Sequence, residues 1–226
     1  GQSSRAAILA LVRRMEIVRL GQGVDRTGRL QPEALARTIA AARRYGELIE
    51  ARGAHRVRFV ATSATRDAAN RAEFETGIER AVGVRPEVIS GSEEAALSFL
   101  GASASLRTGA QPVAGAAPPY LVVDIGGGST EFVLGTDAAE ASRSVDIGCV
   151  RLTERYLRDD PPTGDQLAAA RTAIGQALDE VTAVIPVPRA GTLVGLAGSV
   201  TTVAALALEL PHYDSTRIHH ARISAA

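Results

Sequence analysis

The chain has 226 residues, 46% of them hydrophobic and 22% charged, with 25 basic side chains balanced by 25 acidic ones. That apolar fraction at this length can bury a sizeable core, which excludes an intrinsically disordered chain and a disulfide-dependent miniature fold. Zero net charge argues against a broad footprint for duplex nucleic acid, a single cysteine excludes an internal disulfide or a cysteine zinc cluster, and a sequence without lysine excludes a P-loop and a Schiff-base lysine.

No run reaches the roughly 20 apolar residues needed to span a bilayer. The stretch from Arg5 to Arg14 resembles a short signal core, yet it closes on arginines instead of a small-residue cleavage site. It reads as a helix or strand fragment of a cytoplasmic protein. Pro32 to Arg52 carries Leu35, Ile39, Ala42, Leu48 and Ile49 at helical spacing, with Pro32 in the first turn. Arg56 to Ala61 is predicted as a strand, Thr62 to Asp67 as a hydroxyl-rich turn and Ala68 to Val82 as a helix. A short strand, Val84 to Ile89, then leads through Ser90-Gly91-Ser92 into a helix from Glu93 to Ala102. Ser103 to Pro119, rich in Gly, Ala, Ser and Pro, has linker composition.

The pattern then restarts. Strands are predicted at Tyr120 to Asp124, Glu131 to Leu134 and Ala141 to Asp146, with Gly126-Gly127-Gly128 as the first turn. Helices follow at Val150 to Leu157 and Gln166 to Val184, then a strand from Thr192 to Ala197 and a helix from Gly198 to about Leu210. The alternation gives an α/β fold with a first lobe over residues 1–105, a linker over 106–117 and a second lobe over 118–226. A cleft between two such lobes is a common ligand site.

The sharpest local signal is Asp124-Ile125-Gly126-Gly127-Gly128-Ser129-Thr130-Glu131. A dinucleotide fingerprint needs a helix after its glycines, whereas Glu131 to Leu134 continues as a strand, so the glycines form a hairpin tip. Such a tip can turn several N–H groups toward an anion. Asp124 and Glu131 beside it could hold Mg²⁺ against phosphate oxygens, and Ser129 and Thr130 add hydroxyl donors. The plainer reading is a tight turn.

Ser90 and Glu93 have capping-box spacing, which leaves Glu94 either as a functional carboxylate or as an acid favoured by the helix dipole. In the turn from Thr62 to Asp67, a helix N-terminus with Arg66 nearby suits an anion, and ordinary capping by Thr65 or Asp67 suits it equally. Leu196 to Thr202 is a weaker turn of the same kind. His55, His212, His219 and His220 lack metal-motif spacing and read as surface residues. Cys149 reads as packed rather than nucleophilic.

Five segments taken together resemble the exopolyphosphatase and guanosine pentaphosphate phosphohydrolase family, especially its short actinobacterial members. They are Ile17 to Asp25, Ala61 to Asp67, Ile89 to Ala95, Asp124 to Glu131 and Asp146 to Thr153. The resemblance, from about Arg13 onward, implies two ribonuclease-H-like lobes of the acetate kinase, sugar kinase, Hsp70 and actin superfamily. It implies Glu94 as the general base that activates water, and Glu131 as a second essential carboxylate that helps hold metal or water. Asp124 is implied as a magnesium ligand, and Gly126, Gly127, Gly128, Ser129 and Thr130 as a phosphate loop. Ser63 and Arg66 are implied to line the polyphosphate path, and the cofactor to be Mg²⁺. Family members are often dimers, so a homodimer is allowed. The family's opening loop, Asp-x-Gly-Ser/Thr-Asn-Ser, has no match in Gly1 to Val12, and the family's closing segments have none before Ala226. Both lobes are therefore expected to be incomplete, the chain being either a fragment or a natural form without the first phosphate clamp.

The resemblance implies hydrolysis of terminal phosphoanhydride bonds of inorganic polyphosphate, with removal of the 5′ γ-phosphate of pppGpp as the close variant. A module that binds polyphosphate or (p)ppGpp without turnover is the reading from a different class, and a nucleotide kinase-like protein a third. Neither a duplex nucleic acid nor a membrane is an expected partner.

Overall fold

The structure is a computed structural model that describes residues 11–108, 113 and 115–224. Of the apolar stretch at the start, residues 11–14 are described, and they form neither helix nor strand. A single turn, α1 (Val24–Thr27), precedes α2 (Pro32–Ala51), where proline occupies the first turn because its missing N–H has no partner there in any case. The inner face of α2 is built of small residues, Ala34, Thr38, Ala41 and Ala42. After β1 (Val60–Ala61) and the single turn α3 (Ser63–Arg66), α4 (Arg71–Val82) packs against α2 so closely that a Cβ at Gly46 would lie 2.4 Å from the Ala81 carbonyl oxygen. Leu30, Phe74 and Ile78 fill the core between them.

Two differences from the predicted elements have local causes. The strands expected over 56–61 and 84–89 shrink to a two-residue parallel pair, β1 with β2 (Glu87–Val88). Among the described residues each has only the other to pair with, so the ladder ends where the two backbones part. Helix α4 begins at Arg71 and not at Ala68 because Asn70 is tied elsewhere. Its Oδ1 accepts the Leu30 N–H at 2.8 Å and its Nδ2 donates to the Leu30 carbonyl at 3.1 Å, which holds the preceding residues in a turn.

The largest difference is α5 (Gly91–Thr108), which runs well into the stretch predicted as a linker. Alanines and serines that looked like loop composition let this helix lie close on a sheet. Ala95, Phe99, Ala102 and Leu106 recur at helical spacing and are buried against Tyr120, Val122 and Val133. Helix α5 thus follows the first lobe in sequence but packs on the second sheet.

That sheet has the order β5-β4-β3-β6. β3 (Tyr120–Ile125), β4 (Thr130–Gly135) and β5 (Ala139–Val145) form an antiparallel meander. α6 (Cys149–Tyr156) and α7 (Gly164–Thr182) follow, and β6 (Thr192–Leu196) joins parallel to β3. The chain closes with α8 (Ala197–Ala207) and the single turn α9 (Ser215–Ile218). Val181 and Ile185, at the end of α7 and just beyond it, bury themselves with Ala177 against Leu121, Phe132 and Leu134 on the face opposite α5. Period-two alternation therefore sorts β3 cleanly: Val122 and Asp124 share the α5 face, while Leu121 and Val123 share the other. Among the described residues no helix is long and apolar enough to cross a membrane.

Candidate functional site

Register alone places the two acids of the glycine motif together. Asp124 on β3 and Glu131 on β4 are direct cross-strand partners, and Ser144 on β5 is the partner of Glu131 in turn. All three lie on the face that α5 covers. Glu94 and Ser98, one turn apart on α5, come down onto it. Ser98 Oγ donates to Asp124 Oδ2 at 2.7 Å, and Ser144 Oγ donates to Glu131 Oε1 at 2.8 Å. Glu131 is fully buried. Burial pushes its carboxyl above the ordinary carboxylate range, and the nearby charges of Glu94 and Asp124 push the same way, against hydrogen bonds from Ser129 and Ser144.

The helix start before Glu94 is half of a capping box. Ser90 Oγ accepts the Glu93 N–H at 3.1 Å, but the Glu93 carboxylate pairs with Arg58. Glu94 takes a different cation: Arg66 donates to its Oε2 at 3.0 Å and to the Ile89 carbonyl at 2.8 Å. Capping by Thr65 or Asp67 does not occur, since the Thr65 hydroxyl donates to the Thr62 carbonyl and Asp67 pairs with Arg151.

The glycine bend is a hairpin tip, as its sequence requires. Gly126 N–H donates to Ser129 O at 3.0 Å to close it. Its carbonyls are consumed by the start of α6: Cys149 N–H donates to Gly126 O, Val150 and Arg151 N–H to Gly127 O, and Gly148 N–H to Gly128 O. These bonds satisfy the orphan amides of α6, which has no side-chain cap. Only glycine fits at position 148, where a Cβ would lie 2.3 Å from the Gly127 backbone. The amides of Gly127, Gly128 and Ser129 donate to no other described residue. Donors left over at a bend whose carbonyls are all engaged match the requirement for holding an anion.

Ser63, Glu94, Gly126, Gly127, Gly128 and Ser129 line one cavity of about 220 Å³. Both halves of the chain contribute, and Ser63 lies so near the bend that a Cβ on Gly128 would come within 2.5 Å of its hydroxyl. The remaining sequence-predicted residues stand behind that wall. Arg66 holds Glu94, Asp124 and Glu131 sit beneath α5, and Thr130 turns its hydroxyl to the Ile147 carbonyl at 2.9 Å. Thr130 is thus buried structure, a correction to its expected place among the phosphate donors. Cys149 is exposed, contrary to the expectation that it packs, because the bend uses its backbone and not its thiol. Among the described residues no group of three His, Cys, Asp or Glu side chains is placed to hold a metal ion by itself.

Sequence reasoning missed the junction that fastens the bend. Arg151 donates to Gly128 O at 2.7 Å, to Asp25 Oδ1 at 2.8 Å and to Asp67 Oδ2, joining the glycine bend to two segments of the other half. Asp25 is shared with Arg155. Nearby, Glu154 Oε1 accepts the Gly23 N–H at 2.8 Å. The pairs that cross between the halves lie 84 to 131 residues apart in sequence, so no local spacing announces them. Arg155, with Arg151, holds the Asp25 carboxyl below the ordinary carboxylate range, more than burial raises it. The folded form then resists protonation of Asp25 more than the unfolded chain does. Its contribution to stability is present above the ordinary carboxylate pKa and is lost as pH falls through the depressed value. Asp25→Asn is expected to flatten the acid side of the melting-midpoint profile; an unchanged acid slope would remove Asp25 from that linkage.

Residues 2–225 match the Ppx/GppA phosphatase family, so the likeness extends into the first residues, where the sequence pattern offered none. The chain is 48% identical over 219 residues to a protein named exopolyphosphatase 2 from Mycobacterium tuberculosis, covering 95% of this chain and 66% of that one. It is 30% identical to a bifunctional 3-dehydroquinate synthase/phosphatase of Fusobacterium nucleatum, over 93% of this chain and 32% of the other. Among solved structures, an exopolyphosphatase-like protein superposes with a TM-score of 0.85 at 47% identity, covering 91% of this chain and 65% of that one. An Aquifex aeolicus family member gives a TM-score of 0.64 at 35% identity, over 89% and 62% of the two chains. The chain thus spans just under two thirds of the length of these relatives, apart from the bifunctional one, of which it spans a third. The mixed α/β architecture is that of the actin-like ATPase superfamily, and the chain belongs to the Ppx/GppA phosphatase family.

Proposed function

We propose that this protein hydrolyses terminal phosphoanhydride bonds of inorganic polyphosphate and releases orthophosphate. The observation that carries the reading is the shared cavity: a carboxylate, Glu94, and the unengaged amides of the glycine bend face one volume. The 48% identity to an exopolyphosphatase supports the same substrate class. Phosphoryl transfer asks mainly for positioning, charge neutralisation and an oriented nucleophile. Glu94 supplies the base. Arg66 engages Oε2, which fixes the carboxylate and leaves Oε1 as the oxygen that takes the proton from water. The amides at Gly127, Gly128 and Ser129 receive the terminal phosphate, and Ser63 adds a hydroxyl from the opposite side.

The acids behind the wall fit a hard divalent cation. Glu94 and Asp124 both act on Glu131 as like charges, with Arg66 on Glu94 as a counter-charge, and Mg²⁺ typically takes one or two carboxylates and completes its shell with water and phosphate oxygens. Asp124 and Glu131 would hold it, and when bound it would neutralise charge on the leaving phosphate. The cytoplasm is the proposed compartment, in keeping with a single unpaired cysteine. A homodimer belongs to the same proposal.

Phosphate release from polyphosphate and from pppGpp, each with Mg²⁺ and with a chelator in excess, tests the reading. Magnesium-dependent release from polyphosphate is the expected result, and faster release from pppGpp would favour the alarmone. Tight binding of either with no release would leave a binding module in place of an enzyme.

A further inference from the structure

Beside the cleft lies a second cavity of about 890 Å³, formed by α1, the first half of α2 and the end of α6. The two cavities share Asp25 and Glu154 in their walls. The cleft itself is small for a ligand pocket, typically roughly 300–1,000 Å³, so a long substrate must extend beyond it, and this is an adjoining volume among the described residues.

Four arginines line the second cavity: Arg26, Arg37, Arg155 and Arg158. Arg155 is committed to Asp25. The side chains of Arg26 and Arg158 make no hydrogen bond or ion pair with another described residue, and both are exposed. Arg37 has an acid, Glu33, one turn earlier on α2, at the spacing that favours an ion pair. Instead it donates to two neutral oxygens, the Val18 carbonyl at 3.2 Å and Gln22 Oε1 at 3.0 Å. Three guanidinium groups therefore face one volume without a carboxylate bonded to any of them. The acids there are otherwise occupied or placed. Asp25 holds two arginines, Glu33 sits in the first turn of α2 where the helix dipole favours it, and Glu154 holds the Gly23 amide through Oε1, its Oε2 buried without a partner.

We infer that this cavity receives the distal phosphates of a condensed-phosphate substrate whose end lies at the glycine bend, so that Arg26, Arg37 and Arg158 set chain-length preference. The inference rests on the proposed phosphatase function. Guanidinium groups suit this ligand because each presents a planar fork to phosphate oxygens and stays charged at any working pH. On this assignment a long chain gains more from them than a substrate of two or three phosphates.

The test compares the parent protein with the double variant Arg26→Ala, Arg158→Ala on tripolyphosphate and on long-chain polyphosphate. The ratio of KM for the long chain to KM for tripolyphosphate is expected to rise about tenfold, the size of one lost contact worth roughly 1.4 kcal/mol. The ratio of dissociation constants, measured calorimetrically, is expected to rise with it. An equal shift for both substrates, or none for either, overturns the assignment. Should the parent turn over neither substrate, the phosphatase reading falls by itself, and the ratio of dissociation constants still decides whether the cavity binds the longer chain. An unchanged melting midpoint for the variant confirms that the two exposed side chains are not holding the fold.

Discussion

Replacing Glu94 with glutamine is expected to lower phosphate release roughly 10²-fold or more, with affinity for polyphosphate little changed. The amide has the shape of the carboxylate but cannot take a proton from water, so the step that needs a base loses it while the wall of the cavity keeps its form. Arg66 complicates the comparison, because its guanidinium would then face a neutral group at the position of Oε2. Arg66→Lys is the control: Nη1 alone serves both Glu94 Oε2 and the Ile89 carbonyl, and a lysine ammonium keeps a cation beside Glu94 without the planar fork that fixes its direction, so it should move Glu94 without removing the base. A smaller loss than in Glu94→Gln, recovered in part at higher substrate, is the expected outcome. Full activity in Glu94→Gln would take water activation away from this residue and leave Asp124 and the buried Glu131 as the remaining carboxylates on that face of the sheet.

How much of the fold and the site was legible in the sequence depended on distance along the chain. The hairpin tip at Gly126–Gly128 was readable because both flanking strands are local and their alternation is unbroken. The opposition of Asp124 and Glu131 follows once the tip is fixed, since register is set by the turn. The far end of helix α5 is hard to read locally because Leu106 is the one large apolar residue in 103–108 and the surrounding Ala and Ser match loop composition; burial of Ala102 and Leu106 against a sheet that begins at Tyr120 decides the matter. Asp67 looked like a cap because capping is a local habit of aspartate, whereas its partner is Arg151, 84 residues away. Thr130 was drawn into the site by its neighbours, though one residue along a strand reverses the face on which a side chain sits, and the Ile147 carbonyl claims its hydroxyl.

Arg151→Ala is expected to destabilise the folded chain by about 3 kcal/mol, the lower end of the cost of removing one partner from a buried ion pair. The Arg151 side chain is only 11% exposed, and its three acceptors belong to three separate segments. Asp25 retains Arg155, which places the loss at the lower end; Asp67 has no other described cation, and Gly128 O keeps only the 3.3 Å bond from Gly148. Denaturant unfolding measures the loss, and a change below about 0.5 kcal/mol would show that surface-like solvent screening governs the junction. Arg151→Lys separates stability from geometry. A lysine ammonium can neutralise one of the two acids but cannot hold Gly128, Asp25 and Asp67 in fixed directions at once. Much of the unfolding free energy should return in that variant, while kcat stays depressed, because the bend would be charged correctly and still not held against the half of the chain that carries Ser63.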